Sequence, residues 1–365
     1  MTGVTAAVSG RNFAEYSKMW DVAIVGSGPA GASCAAFCAA AGLRTLVLER
    51  ANFPREKVCG DCLNPTCWPV LERLGVAAEV RAAPHGKLSR VEFIGSDGRS
   101  MTAPLPFGDQ AEIAIRRSLF DQILLRRARS FGAEVREGQT LLSARRNEHW
   151  QISTAQSKES ARILVAADGR NSTVARLCHL MPSKGPDRVA LQTHVPLPNG
   201  FGDRVVLQLL REGYSGQAPV GDGLLNLCLV SRPNDLATVK RWAEREFSIP
   251  IDHPWRTIAP LARTALPAGQ PGLYLVGDAA RVVEPFTGEG IYYALCSGEL
   301  AADAIVSNQS QGYRAAHRKL YAGRLWINRL ARTAVLHPRL TSNLLGVVPN
   351  QQWMLRKLTK KVVRL

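Results

Sequence analysis

Short apolar runs closed by turn residues alternate with helical stripes along most of this chain. Val22-Ala23-Ile24-Val25 is a continuous apolar run and reads as a buried strand. Ala30–Ala41 is built from small residues and predicts a helix packed close to a sheet. Thr45–Leu48 predicts a second strand, closed by Glu49. The three segments make a β-α-β unit of about 30 residues. A helix is predicted from about Arg117 to Phe131, with Leu119, Phe120, Ile123, Leu124 and Ala128 on one face. Gly132-Ala133-Glu134-Val135 starts a strand, Arg162–Ala167 and Leu273–Val276 predict two more, and Gly290–Ile305 predicts a helix. Asn52–Pro69, rich in Pro, Gly and Cys, reads as a loop.

Between these segments the period changes from helical to alternating. Leu88–Phe107 and Val189–Val230 read as short strands of a mostly antiparallel sheet, with Arg204–Leu210 and Leu224–Val230 as examples. The fold class predicted is therefore α/β. A Rossmann-like domain is assembled from 20–82, 111–185 and 266–310. A second domain from 83–110 and 186–265 is inserted into it, and a helical region occupies 311–365, broken near Pro338 and Pro349. A length of 365 residues fits two domains.

Charge refines this division. The chain has 46 Lys and Arg against 30 Asp and Glu, a formal net charge of +16. Twelve of the cations lie in 311–365, which contains no Asp or Glu, so the body is nearly balanced and the end is a basic appendage. Trp353–Leu365 predicts a short amphipathic helix with Lys357, Lys360, Lys361 and Arg364 on its polar side. Two readings stand: helices packed back on the body with their charges exposed, or contact with an anionic membrane surface. Nucleic acid is not expected, since no nucleic-acid-binding motif accompanies the charge. No run of about 20 uncharged apolar residues occurs, and residues 1–20 lack the apolar block of a signal peptide. The eight cysteines then read as reduced thiols, and the expected location is cytoplasmic, peripheral to the inner face of a membrane if the basic end binds lipid.

The chemistry begins at Gly26-Ser27-Gly28-Pro29-Ala30-Gly31, between the first strand and the first helix. The first glycine allows the turn, the second lets backbone approach a pyrophosphate, and the third lets helix and sheet pack. The helix N-terminus then faces the phosphates with its unpaired N–H groups. Glu49, at the end of the second strand and followed by Arg50, is placed to accept ribose hydroxyls. Cys59, Cys62 and Cys67 lack a second ligand pair for zinc, and Cys62 and Cys67 read as packing. Asp168-Gly169 lies in a turn leading into a helix, where Asp168 alone would be a cap. Gly277-Asp278, then Pro285-Phe286-Thr287-Gly288-Glu289-Gly290-Ile291, follow a strand and open a helix.

In this order, the glycine fingerprint, the Phe53-Pro54-Arg55-Glu56-Lys57-Val58-Cys59-Gly60 loop, Asp168-Gly169 and the Gly277–Ile291 segment resemble the FAD-dependent oxidoreductases. That group joins geranylgeranyl reductases to aromatic hydroxylases of the para-hydroxybenzoate hydroxylase type, and the resemblance spans about residues 20 to 305. It implies FAD as cofactor, bound by Gly26, Gly28, Ala30, Gly31, Glu49, Arg50 and Asp168. It implies that Arg117 steadies the phosphate and ribityl region and that Asp278 binds ribityl hydroxyls. It implies too that Cys59 and Gly60 lie beside the flavin ring, with Cys59 the candidate catalytic residue, and that Gly288, Gly290 and Ile291 offer backbone to the ring. The helix from Gly290 would point its positive end at the charge that develops on flavin reduction.

Only one dinucleotide fingerprint is present, so NAD(P)H or another reductant acts as a transient donor. The Cys59-Gly60 loop resembles the reductase branch, as does Gly213–Gly223, read as a strand and turn over a substrate pocket. The Tyr-x-Trp-x-Phe-Pro segment of those reductases is not intact here, and the Trp-x-Trp-x-Ile-Pro segment of flavin halogenases is missing. The expected reaction is hydride transfer at flavin N5 to or from a C–C bond of an apolar, isoprenoid- or polyketide-like small molecule. The alternatives are a single-component aromatic hydroxylase using NAD(P)H and oxygen, and a flavin-bound sensor without turnover.

Overall fold

The computed structural model describes residues 19–182, 188–337 and 341. Its first strand, β1 (Trp20–Val25), turns at Gly26 into helix α1 (Pro29–Ala40) and returns as β2 (Thr45–Leu48). The register is parallel, with Val22 opposite Thr45 and Val25 opposite Leu48. Each residue of β2 is buried, as expected for a strand covered on both faces. The chain then passes through β3 (Arg90–Ile94) and β4 (Ser100–Pro104) before helix α2 (Arg117–Ser130), β5 (Glu134–Arg136) and the long β6 (Lys158–Ala166).

A second run of strands follows: β7 (Val189–Pro196), β8 (Arg204–Leu210), β9 (Gly213–Gly221) and β10 (Leu224–Ser231). Helix α3 (Leu236–Glu246) leads to β11 (Arg256–Ile258), and β12 (Leu273–Leu275) rejoins the first sheet. Helices α4 (Gly290–Val306), α5 (Ser310–Tyr321) and α6 (Leu325–Leu336) complete the described chain.

Two sheets organise the molecule. One has the parallel order β12-β6-β1-β2-β5, with small antiparallel additions at its margins. The other has the order β11-β7-β10-β9-β8-β3-β4 and is antiparallel except where β8 pairs with β3. The fold is thus α/β, with a Rossmann-like layer and a mainly antiparallel sheet.

The first core packs α1 and α4 over the parallel sheet. These helices approach so closely that a Cβ at Gly298 would stand 2.2 Å from Ser33 Oγ and 2.4 Å from the Ala30 carbonyl oxygen. The small residues of α1 are what allow this crossing.

The structure differs from the sequence reading in the segment read as a loop. Trp68–Leu74 is a helix, and the Pro69 that looked like punctuation lies in its first turn, where no intrahelical N–H is needed. Part of the basic end packs on the body: Tyr313, Tyr321, Ile327 and Val335 are buried, and Tyr313 Oη donates to the Leu275 carbonyl at 2.7 Å. The predicted amphipathic helix Trp353–Leu365 lies outside the described residues. No described helix is long and apolar enough to cross a membrane.

Candidate functional site

The turn after β1 is shaped by its glycines. Gly26 has φ 96°, and a Cβ on Gly31 would lie 1.9 Å from the Gly26 carbonyl oxygen, so only glycine permits this helix entry. A Cβ at Gly28 would have open room in front of it, with three cationic tips beyond: Arg117 Nη2 and Arg55 Nη2 at 3.8 Å and Lys57 Nζ at 3.9 Å. Asp121 organises two of them. Its carboxylate receives two bonds of 2.7 Å from Arg117 and one of 3.0 Å from Arg55. Burial pushes Lys57 down to about 8, helped by the positive charges of Arg117 and Arg55. Three cations at a helix N-terminus make a site for a doubly charged anion.

Glu49 stands at the end of β2, buried. Its Oε2 accepts from the Ser27 amide at 2.8 Å and from Ser27 Oγ at 2.9 Å, and its Oε1 accepts from the Ala51 amide at 3.0 Å. Burial alone would raise its pKa, but Arg55 and these donors outweigh it and hold the carboxylate below its usual range. Arg50 is exposed beside it.

A cavity of about 710 Å³ opens from Gly28 and Ala30 and runs between the two sheets toward α6. Cys59, Gly60, Arg117, Asp278, Gly288, Gly290 and Ile291 all line it. Among the described residues, nothing but the adjacent chain stands within 4 Å of where a Cβ would be at Gly60, Gly288 or Gly290, so backbone is bare toward the cavity at these positions. The helix α4 begins at Gly290 and turns its unpaired N–H groups this way. Asp278 is paired with Arg170 at 3.0 Å. Farther in, the lining becomes apolar: Val91, Phe93, Leu207 and Leu209 from the second sheet, with Phe286 and Leu261 opposite.

Asp168 is not part of the lining; its Oδ2 accepts from the amides of Thr173 and Val174 at 2.6 and 3.1 Å, which is a helix cap. Its Oδ1 is buried with no hydrogen-bond partner among the described residues. Burial pushes the Cys59 thiol up, against the pull of the nearby Arg117 guanidinium. It is therefore a neutral thiol at pH 7.

Sequence reasoning passed over Arg55, Lys57 and Asp121. The alternation of Arg55 and Lys57 along an extended segment was the available signal for the first two. Asp121, one turn beyond Arg117 on the buried face of α2, was the signal for the third. Asp61, His194 and Glu112 were also missed. Asp61 lies 2.8 Å from His194, and burial pushes Glu112 up to about 7 at the cavity wall.

Residues 19–199 match the family model described as an FAD binding domain. Digeranylgeranylglycerophospholipid reductase 2 of Methanopyrus kandleri is 30% identical over 78% of this chain and 78% of its own. The chain belongs to the FAD-binding oxidoreductases. Menaquinone reductase of Mycolicibacterium smegmatis is 29% identical to this flavoprotein, over 81% of this chain and 78% of the relative. A flavoprotein/dehydrogenase from Cytophaga hutchinsonii shares the fold with a TM-score of 0.80, covering 95% of this chain and 93% of that one at 18% identity.

The residues present fit FAD. The cation cluster at Gly28 suits a pyrophosphate, and the bare backbone at Gly288 and Gly290 leaves room for a flat ring against a helix N-terminus.

Proposed function

We propose that this flavoprotein saturates a carbon–carbon double bond in an apolar, isoprenoid-like substrate. The observation that carries this reading is the cavity itself. Its inner part is walled by aliphatic and aromatic side chains of the second sheet and by α6, which supplies Ile327, Leu330 and Ala334. A long apolar chain would be desolvated there, while a small polar aromatic acid would find few partners. The names of the two relatives, one acting on a geranylgeranyl lipid and one on menaquinone, support the same substrate class.

In this reading Gly26, Gly28 and Gly31, with Arg55, Lys57 and Arg117, hold the pyrophosphate. Glu49 takes the ribose hydroxyls, Asp278 the ribityl hydroxyls, and Gly288, Gly290 and Ile291 meet the flavin ring. Bound FAD supplies a two-electron, hydride-donating centre. The protein positions the substrate against it and keeps water out with the apolar wall. A nicotinamide, docking transiently, is the proposed reductant.

The test is anaerobic. Enzyme reduced with dithionite is mixed with menaquinone-4, whose tail is unsaturated, or with an aromatic acid. The proposal expects reoxidation by the unsaturated acceptor without oxygen, with the two added hydrogens in the prenyl tail rather than on the quinone ring. Reoxidation only by oxygen with an aromatic substrate, yielding a hydroxylated product, would instead establish the hydroxylase chemistry.

A further inference from the structure

Two residues 133 positions apart meet at the cavity wall, outside the groups assigned to FAD. Asp61 lies in the loop after Cys59-Gly60 with φ 60°, a left-handed conformation that Asp and Asn tolerate but most side chains do not. Its side chain is buried, and the residue lines the cavity. Oδ2 is 2.8 Å from Nε2 of His194 on β7, and Oδ1 is buried with no hydrogen-bond partner among the described residues. Unpartnered buried carboxylate oxygens are costly, so a carboxyl held here beside the cavity has the marks of a working group.

A chain of amide contacts ties the pair to the Cys59 loop. The Gln192 amide nitrogen lies 3.2 Å from the same imidazole nitrogen and donates to Asn226 Oδ1 at 2.8 Å. Asn226 Nδ2 in turn donates to the Cys59 carbonyl at 3.1 Å. The 2.8 Å separation of His194 Nε2 and Asp61 Oδ2 lets the two side chains share one proton, which passes between them with the tautomer and charge of the imidazole. The groups facing Asp61 are His194 on β7, Arg117 on α2, Glu56 and Cys59 on its own loop, Cys62 just beyond, and Cys228 on β10. Burial pushes Asp61 up to about 6, although His194 and Arg117 oppose the rise.

We propose that Asp61 is the acid that protonates the substrate, and that His194 is the positioning residue behind it that holds and replaces that proton. The inference rests on the reductase reading of the cavity. In the reduction the π bond of the substrate breaks. One carbon gains a hydride, which carries two electrons from the reduced cofactor. The other gains the carboxyl proton of Asp61, whose O–H electrons stay on the carboxylate. The double bond is reduced and the cofactor oxidised by two electrons each, and a nicotinamide restores the cofactor. Solvent returns a proton to Asp61 through His194.

The test uses the FAD-loaded enzyme and its Asp61→Asn and His194→Gln variants. Asn accepts the left-handed backbone, so Asp61→Asn keeps the fold and the flavin spectrum. Its single-turnover reoxidation by menaquinone-4 is expected to slow about a hundredfold. His194→Gln keeps a hydrogen-bonding side chain beside Asp61 but no titratable one, and is expected to alter the pH profile of that step. Independently, nuclear magnetic resonance of imidazole-labelled protein follows the titration of His194, which must shift when Asp61 becomes Asn. An unchanged His194 titration, or an Asp61→Asn rate and pH profile equal to wild type, overturns the proposal. If menaquinone-4 and other unsaturated acceptors fail to reoxidise even the wild type, the reductase reading falls. The His194 titration then still decides whether the pair shares a proton.

Discussion

In the proposed reading Lys57 is one of three cations that hold the pyrophosphate, and the one whose charge changes near neutral pH. Its pKa is pushed down to about 8 by burial and by its cationic neighbours, so in the apoprotein it loses its proton above that pH. A bound pyrophosphate favours the charged form, and binding then takes up a proton. The sign follows: FAD affinity is flat below about 8 and falls by up to about tenfold per pH unit toward the ordinary lysine value near 10. Fluorescence titration of apoprotein with FAD measures this, and Lys57→Met is expected to bind more weakly but lose that pH dependence. Glu49 gives a second prediction. Glu49→Gln removes a buried charge that holds the Ser27 amide, and FAD affinity is expected to fall about tenfold to a hundredfold. Circular dichroism should meanwhile show an unchanged fold.

At the scale of elements, the crossing of α1 and α4 is the point least able to absorb change. Gly298→Ala puts a methyl group 2.2 Å from Ser33 Oγ and against the Ala30 carbonyl. Overpacking of this kind costs about 1–3 kcal/mol and should lower Tm by about 1–4 °C in a thermal melt. A Tm equal to wild type would show that the helices separate freely. The elements were legible where their signal was local. β2, β8 and α4 began where the sequence reading began them, because an apolar run, a turn glycine or a motif marks each start. The helix at Trp68 was not legible, since Pro69 reads as a breaker until its place in the first turn is known. Helix α3 turns only Val239 and Ala243 fully inward, a signal weak beside its charged residues.

At the scale of the whole molecule, the cofactor and the α/β class could be read because the four motifs are each contiguous. The acid at the cavity wall could not. Asp61 and His194 belong to a loop and to a strand of the second sheet, and only the closed fold brings them within 2.8 Å. Asp121 was hidden for a related reason: a buried carboxylate on an apolar helix face looks like a patterning error until its two arginines arrive. The cavity is equally a property of the assembled molecule, since one wall comes from the second sheet and another from α6 near the end of the described chain. Leu207→Trp, which fills the apolar part without touching the cation cluster at Gly28, should leave FAD binding intact. It should also weaken productive binding of menaquinone-4 at least tenfold, read as a rise in the concentration giving half-maximal reoxidation rate.

The account turns on what the reduced enzyme does to an apolar chain. Mass spectrometry of menaquinone-4 after one anaerobic turnover with stoichiometric reduced enzyme measures this directly. The account predicts a product two hydrogens heavier, with both added hydrogens in the fragments of the prenyl tail. A product unchanged in mass, or one reduced only at the quinone ring, would contradict it.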